Sequence, residues 1–432
     1  MDEIKVRREG NEMVYEMRVK IGEGSMLEQE QAIQDAVNRV GGRATADALK
    51  RFDTQGKAIS VDGVKFTTKG EQTEEYECPF GKIVVARHVY QNANGGRTFC
   101  PMEHGARLIL NSTPKYAKLL SHHYGKGGAL SVAEDLKETT GRIVCPAYVK
   151  NVSEVVANCA QIFELDVVYD LPDNLDEVAQ VVISLDGTCM LMIDDGWREA
   201  MTGTISLYDS AGVRMHTIYI GATPQYGKAE FLARFEREIA NVKTLYPHAV
   251  YIGLADGARA NWDFLRQWTN RLILDFYHAS EYVAKAANAM FPGVGKAPLK
   301  QQWLTRTLHN LKHKHGAAKR LLNEMEEALE QVPKSRKHEM TAAITYFSNN
   351  YHKMNYARQS KVDMPIGSGV VEAACKELIK HRLAGSGMRW NNHGAGIVIS
   401  IRSLILSSKR WEQFWSKIDQ SGCPAHKEFI TL

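Results

Sequence analysis

Little in this 432-residue chain marks it as a small stapled domain, a membrane protein or a polycation. It has seven cysteines, Cys78, Cys100, Cys145, Cys159, Cys189, Cys375 and Cys423, odd in number, widely scattered and without a CxxC pair. This pattern predicts reduced thiols in a cytoplasmic protein. No uninterrupted apolar run approaches the roughly 18 to 20 residues of a membrane span. The start, MDEIKVRREG, lacks the apolar run of a signal peptide. Net charge is small, +4 from 54 Lys/Arg and 50 Asp/Glu. It is unevenly placed, however. Residues 296–320 carry seven Lys/Arg and no acid, and residues 361–410 carry eight against three, which leaves the rest of the chain net acidic. Cations gathered into two windows suit a polyanion, of which nucleic acid is the commonest. With 44% apolar residues, the chain can bury sizeable cores.

Periodicity divides the chain into five parts. Residues 1–110 read as an N-terminal α+β region. Ser25 and Glu28 form a capping box that starts a helix to about Val40, Gly41-Gly42 breaks it, Ala44 to Phe52 forms a second helix, and alternation over residues 60–100 gives a small sheet. Cys100 and His104, with Cys78 upstream, have the spacing of half a zinc site, but two complete ligand pairs are missing, so zinc is not expected. Residues 111–175 read as three helices, Thr113 to Tyr124, Ser131 to Thr139 and Ala147 to Phe163. They fit either a helix-turn-helix DNA-binding unit or a plain helical connector.

Residues 176–280 carry the most information. Three successive strands with turn signals are followed by a helix from Tyr226 to Leu245, the strand AVYIGLADG, a helix from Ala260 to Thr269 and the strand RLILDFYH. The order β-β-β-α-β-α-β matches a ribonuclease-H-like core, α/β in class. Residues 281–362 show helical patterns alone and read as an all-helical insertion; residues 363–432 return to the core and end in helices, the first from Val370 to Leu383.

Asp186 follows VVISL and Asp256 follows YIGLA, each before a glycine. In isolation an Asp-Gly after a strand is a turn. In this fold order the first and fourth strands are neighbours, so the two carboxylates converge, and Glu372 stands near the start of a helix after the fifth strand. Three carboxylates can hold two hard cations about 3.5 to 4 Å apart, one activating an attacking oxygen and one stabilising the leaving oxygen of a phosphodiester. Competing acids have structural roles: Asp194-Asp195-Gly196 reads as a hairpin turn, Asp209 as a strand end and Asp263 as a helix surface. The run LKHKHGAAKR offers Lys312, Lys314, Lys319 and Arg320 to a DNA backbone, and Lys376, Arg382, Arg389 and Trp390 follow Glu372 closely enough to hold a phosphate or stack an unpaired base.

Four blocks, SLDGT at 184–188, GLADGARANW at 253–262, LDFYHASEYV at 274–283 and GSGVVEAACKELIKHRLAGSGMRW at 367–390, carry a resemblance. In them the chain resembles bacterial insertion-sequence transposases of the DDE type, specifically the ISKra-type family. The resemblance implies that Asp186, Asp256 and Glu372 are a catalytic triad binding two Mg²⁺ ions, with Mn²⁺ able to substitute. It implies cleavage and strand transfer at element ends, with terminal inverted repeats and target DNA as partners, a homodimer or higher oligomer on DNA, and a bacterial, nucleoid-associated location. It also explains the 116 residues from Asp256 to Glu372 as a helical insertion. Related Mutator-like and hAT-like groups carry a Cys/Asp-x-x-His motif, which Asp275 and His278 fit as supporting residues; a buried pair at a strand end is the plainer account of them. The competing functions are a nuclease without strand transfer and a DNA-binding relative that has lost catalysis.

Overall fold

The computed structural model describes residues 4–423 apart from 62, 172–177, 226, 227 and 363. The boundary expected at 175/176 and the helix start expected at Tyr226 lie outside the described residues. The chain forms two compact units, one of residues 1–169 with 400–405 and 410 onward, the other of residues 170–399 with 406–409.

The first unit opens with a hairpin, β1 (Lys5–Glu9) and β2 (Glu12–Glu16), that periodicity does not reveal. Ser25 and Glu28 cap each other's backbone as expected and start α1 (Met26–Leu49). The expected break at Gly41-Gly42 does not occur. The helix runs through both glycines and ends in a 3₁₀ turn at Lys50–Phe52. A Cβ on Gly41 would collide with the Phe80 ring, so the missing side chain serves close packing rather than termination. Strands β3 (Ile59–Val61), β4 (Val64–Cys78), β5 (Gly81–Asn92) and β6 (Gly95–Phe99) form an antiparallel meander. Tyr76, Cys78, Ile83 and Val85 pack there with Leu49 of α1 and Met102 of α2 (Pro101–Gly105).

The three expected helices are α3 (Pro114–Lys126), α4 (Ala129–Thr140) and α5 (Pro146–Asp166). A recognition helix needs a free face. In α5, Val149, Val152, Ser153, Val156, Ala157 and Cys159 are buried while Lys150, Asn151, Gln161 and Ile162 are exposed, an arrangement compatible with both the helix-turn-helix and the connector expectation. The expectation of reduced thiols holds for five of the seven cysteines and fails for Cys159 and Cys423, which are joined by a disulfide, Cα to Cα 5.7 Å. Their 264-residue separation hides the pairing from a sequence reading. Cys423 follows α16 (Arg410–Ser421), the last helix of this unit.

The second unit is built on a five-stranded mixed sheet: β7 (Gln180–Met192), β8 (Gly196–Tyr208), β9 (Arg214–Ala222), β10 (Val250–Ala255) and β11 (Arg271–Leu274). Its spatial order is β11-β10-β7-β8-β9. β7, β8 and β9 pair antiparallel, whereas β10 and β11 add in parallel beside β7. The parallel additions need crossovers. These are α6 (Ala229–Leu245) and α7 (Arg259–Trp268), whose Phe231, Phe235, Ile239, Phe264 and Leu265 enter the core. Asp194, Asp195 and Gly196 do turn the β7–β8 hairpin.

RLILDFYH is a strand only as far as Leu274. Asp275 then caps α8 (Phe276–Met290). After it come α9 (Ala297–His313), α10 (Ala317–Ala328), α11 (Lys337–Asn350) and α12 (Tyr356–Ser360). The helices expected as an insertion share one hydrophobic cluster with the sheet, in which Trp303, Leu311, Met325 and Phe347 join Ile183, Leu254 and Ile273. The helix expected from Val370 to Leu383 is α13 (Gly369–Cys375), a π-turn at Lys376–Lys380 and α14 (His381–Leu383); α15 (Asn392–Leu406) follows. Among the described residues, no helix is long and apolar enough to cross a membrane.

Gly203 of β8 tests the core packing. A Cβ there would stand 2.8 to 3.1 Å from the Phe235 ring, itself stacked against Phe231 and Phe264 and unable to withdraw. Gly203→Ala is expected to destabilise the second unit by about 1 to 3 kcal/mol in urea denaturation. An unchanged midpoint would contradict this packing.

Candidate active site

β7 and β10 run parallel with Ser184 opposite Leu254. Side chains on one face of a strand recur every second residue, so two residues further along both chains Asp186 and Asp256 fall on the same side. Asp186 lies within β7, opposite Thr202 of β8, and Asp256 follows the end of β10. The Asp186 Oδ1 accepts the Gly187 N–H at 2.7 Å, and the Cys375 thiol donates to its Oδ2 at 3.6 Å. Burial pushes the Asp186 carboxyl above its ordinary value, and the negative charges of Asp256 and Glu372 push the same way. Asp256 accepts the Ala258 N–H at 3.2 Å, while the Tyr346 hydroxyl donates to its carbonyl at 3.1 Å.

Glu372 stands exposed in the first turn of α13, where the helix dipole favours a carboxylate. With Asp186 and Cys375 it lines an open pocket of ≈ 640 Å³, whose other wall carries Lys376, Lys380 and His381. The π-turn explains that wall. Its i to i+5 bonding aligns His381 with Lys376 while Leu378 and Ile379 stay in the core. Glu377 is not part of the lining; its carboxylate contacts His381 Nδ1 at 3.2 Å. Cys375, Lys380 and His381 escape the sequence reading, although Cys375 stands three residues after Glu372, one turn along the same face.

Asp275 is fully buried. Its Oδ1 accepts the His278 N–H at 2.7 Å, and its Oδ2 accepts the Ser368 N–H and lies against the Ser368 hydroxyl oxygen. The same Ser368 hydroxyl contacts Glu372 Oε1. Among the described residues, the one group of three metal-ligand side chains within 4.8 Å of one another is Asp275, His278 and Glu372. Asp186, Asp256 and Glu372 do not make such a closed group.

The basic residues divide. Lys312, Lys314, Lys319 and Arg320 are all exposed around the turn between α9 and α10, as are Lys376 and Arg389. Arg382 is not. It is 4% exposed, its guanidinium 5.2 Å from the centre of the Trp390 ring, and the indole N–H donates to the Leu383 carbonyl at 2.9 Å. The Trp390 backbone also bonds Leu191 and Ile193 at the end of β7. Arg382 and Trp390, expected to hold a phosphate or stack an unpaired base, therefore pack on each other at this corner of the unit, with the guanidinium buried. In the first unit, Cys78 gives its thiol to the Gly81 carbonyl and burial pushes the Cys100 thiol up to about 11; neither cysteine, nor His104, belongs to a metal-ligand group among the described residues.

No protein-family model matches the chain, and no curated protein matches its sequence.

Half-buried Asp186 and fully buried Asp275 are distinguished by stability. A carboxyl held above its ordinary value binds its proton more tightly folded than unfolded, so ionising Asp186 at neutral pH costs stability. Asp186→Asn at pH 7 in EDTA is expected to lose no stability, or to gain some. Asp275→Ala removes a helix cap and strands buried donors, an expected loss of about 2 to 4 kcal/mol. The reverse order in thermal denaturation would contradict these environments.

Proposed function

We propose that the chain is a DDE-type DNA transposase that binds the ends of its element as a dimer or higher oligomer and carries out metal-dependent strand cleavage and strand transfer. The register that sets Asp186 beside Asp256 carries this reading, together with Glu372 on the pocket that Asp186 lines. The order β11-β10-β7-β8-β9, with β8 alone opposed to the other strands, supports a ribonuclease-H-like core. The four sequence blocks that resemble ISKra-type transposases contain all three acids.

The residues fit a hard divalent cation. The donors are carboxylate oxygens, and their mutual repulsion, felt at Asp186, is the penalty that a bound cation offsets. Asp186, Asp256 and Glu372 would hold the ions. Magnesium bound there supplies activation of the attacking oxygen and stabilisation of the leaving oxygen. Gly187 N–H and Cys375 keep Asp186 oriented, and Lys376 and Lys380 offer positive charge to the phosphodiester at the pocket wall. The exposed cations from Lys312 to Arg320 provide a backbone contact for duplex DNA. A nuclease without strand transfer is the second reading, because the same three acids and metal ions would serve hydrolysis alone; the Asp275, His278 and Glu372 group offers an ion an alternative place that shares Glu372.

The reading is tested with purified protein, its flanking element ends and Mg²⁺. Asp186→Ala, Asp256→Ala and Glu372→Gln are each expected to abolish cleavage and joining while duplex binding persists, and Glu377→Gln to remain active. Activity within about tenfold of the parent in any of the first three, a barrier change near 1.4 kcal/mol, would contradict the assignment. Products that are cut and never joined to a target would favour the nuclease.

Neutralising Lys312, Lys314, Lys319 and Arg320 together is expected to weaken binding to any duplex alike. The slope of log affinity against log salt flattens by up to about 0.9 for each phosphate that the protein no longer neutralises. Unchanged affinity and slope would make this turn a solvated surface.

A further inference from the structure

Of the three acids, Asp186 is tied to Gly187 N–H and Cys375, and Asp256 to Ala258 N–H. Glu372 is exposed, and its contact is the hydroxyl of Ser368, a residue 4% exposed that sits just before α13. Ser368 is itself clamped. Its N–H and hydroxyl face the Oδ2 of fully buried Asp275, and next to it the Phe276 N–H donates to the Ile366 carbonyl at 2.9 Å. Gly367 has no side chain where the Tyr277 ring packs, 2.6 Å from the position of a Cβ, so the segment before α13 lies directly on the start of α8.

Proton counting decides what this clamp does. Asp275 receives a backbone N–H on each oxygen, from His278 and from Ser368, so its charge is met without the hydroxyl. Ser368 has one hydroxyl proton and two carboxylates in reach. We infer that Ser368 is a positioning residue, whose hydroxyl hydrogen-bonds Glu372 while buried Asp275 holds the serine in place, fixing the Glu372 carboxylate at the pocket. The inference rests on the transposase reading for its consequence in catalysis, but the contact itself is independent of function. It also gives Asp275 a definite part: capping α8 and anchoring the segment that leads to the third acid.

The experiment has two arms on the full chain. In the first, metal-free protein is labelled with a water-soluble carbodiimide and glycinamide, and modification of each carboxyl is read by mass spectrometry. Labelling of Glu372 is expected to rise about fivefold in Ser368→Ala, the population change that removal of one hydrogen bond brings. It returns towards the parent in Ser368→Thr, and Glu377 is unaffected. In the second arm, Mg²⁺-dependent cleavage of element ends by Ser368→Ala is expected to fall about tenfold in kcat with KM for DNA unchanged, restored by Ser368→Thr; tenfold is a modest barrier change. If the alanine variant does not fold, Ser368→Cys, nearly isosteric with a weak donor, replaces it. Unchanged Glu372 labelling overturns the inference, and so does raised labelling with full cleavage. A parent protein that cleaves no DNA overturns the transposase reading instead, and the labelling arm still decides the contact.

Discussion

The parallel pairing of β7 with β10 is the constraint on which the rest depends. Ser184 faces Leu254, and the two-residue period of a strand then puts Asp186 and Asp256 on one side of the sheet, though 70 positions separate them in sequence. A slip of one residue would turn one carboxylate to the opposite face. The register is held by what lies beneath it. Val181, Ile183, Ile252 and Leu254 are buried in the continuous cluster of the second unit, and the crossover helices α6 and α7 add their apolar faces to it. A well-packed sheet thus forces two like charges together, and the Asp186 carboxyl, which burial already pushes above its ordinary value, is pushed the same way by Asp256. Sites that keep such repulsion are where function is to be sought.

The third acid arrives by a different device. Glu372 comes after five helices that share the sheet's core, and two polar links tie those helices to the strand ends. One is the Tyr346 hydroxyl on the Asp256 carbonyl, with the Tyr346 ring stacked 3.7 Å from Tyr282. The other is Asp275, which caps α8 and grips Ser368 just before α13. The stretch that looks like an insertion in sequence is therefore part of the site's support. The π-turn after Glu372 completes the pocket wall by turning Lys376, Lys380 and His381 to one side.

Much of this is legible in the sequence because it is local. The capping box at Ser25 and Glu28, the alternation of β4 and β5, the succession of strands and helices from β7 to β11 and the place of Asp256 just past β10 follow from residues within a few positions of each other, whereas Asp186 lies mid-strand, because β7 runs on to Met192. What stays hidden is of another kind. Gly41-Gly42 reads as a helix break because the Phe80 ring that packs on it is distant in sequence. The disulfide of Cys159 with Cys423, the Arg382 guanidinium over Trp390 and the Ser368 bridge are all tertiary. Asp275 reads as the end of a strand, although an Asp before an apolar helical run is also a cap, and that signal is present in the sequence.

The central claim is that Asp186, Asp256 and Glu372, brought together by register and by α13, form one divalent-metal site. Crystals of the protein loaded with Mn²⁺, measured on both sides of the manganese absorption edge, test it directly. The account predicts anomalous peaks coordinated by Asp186, Asp256 and Glu372, at the spacing of about 3.5 to 4 Å expected of a two-metal centre. A single peak held by Asp275, His278 and Glu372, with Asp186 and Asp256 bare, would contradict it.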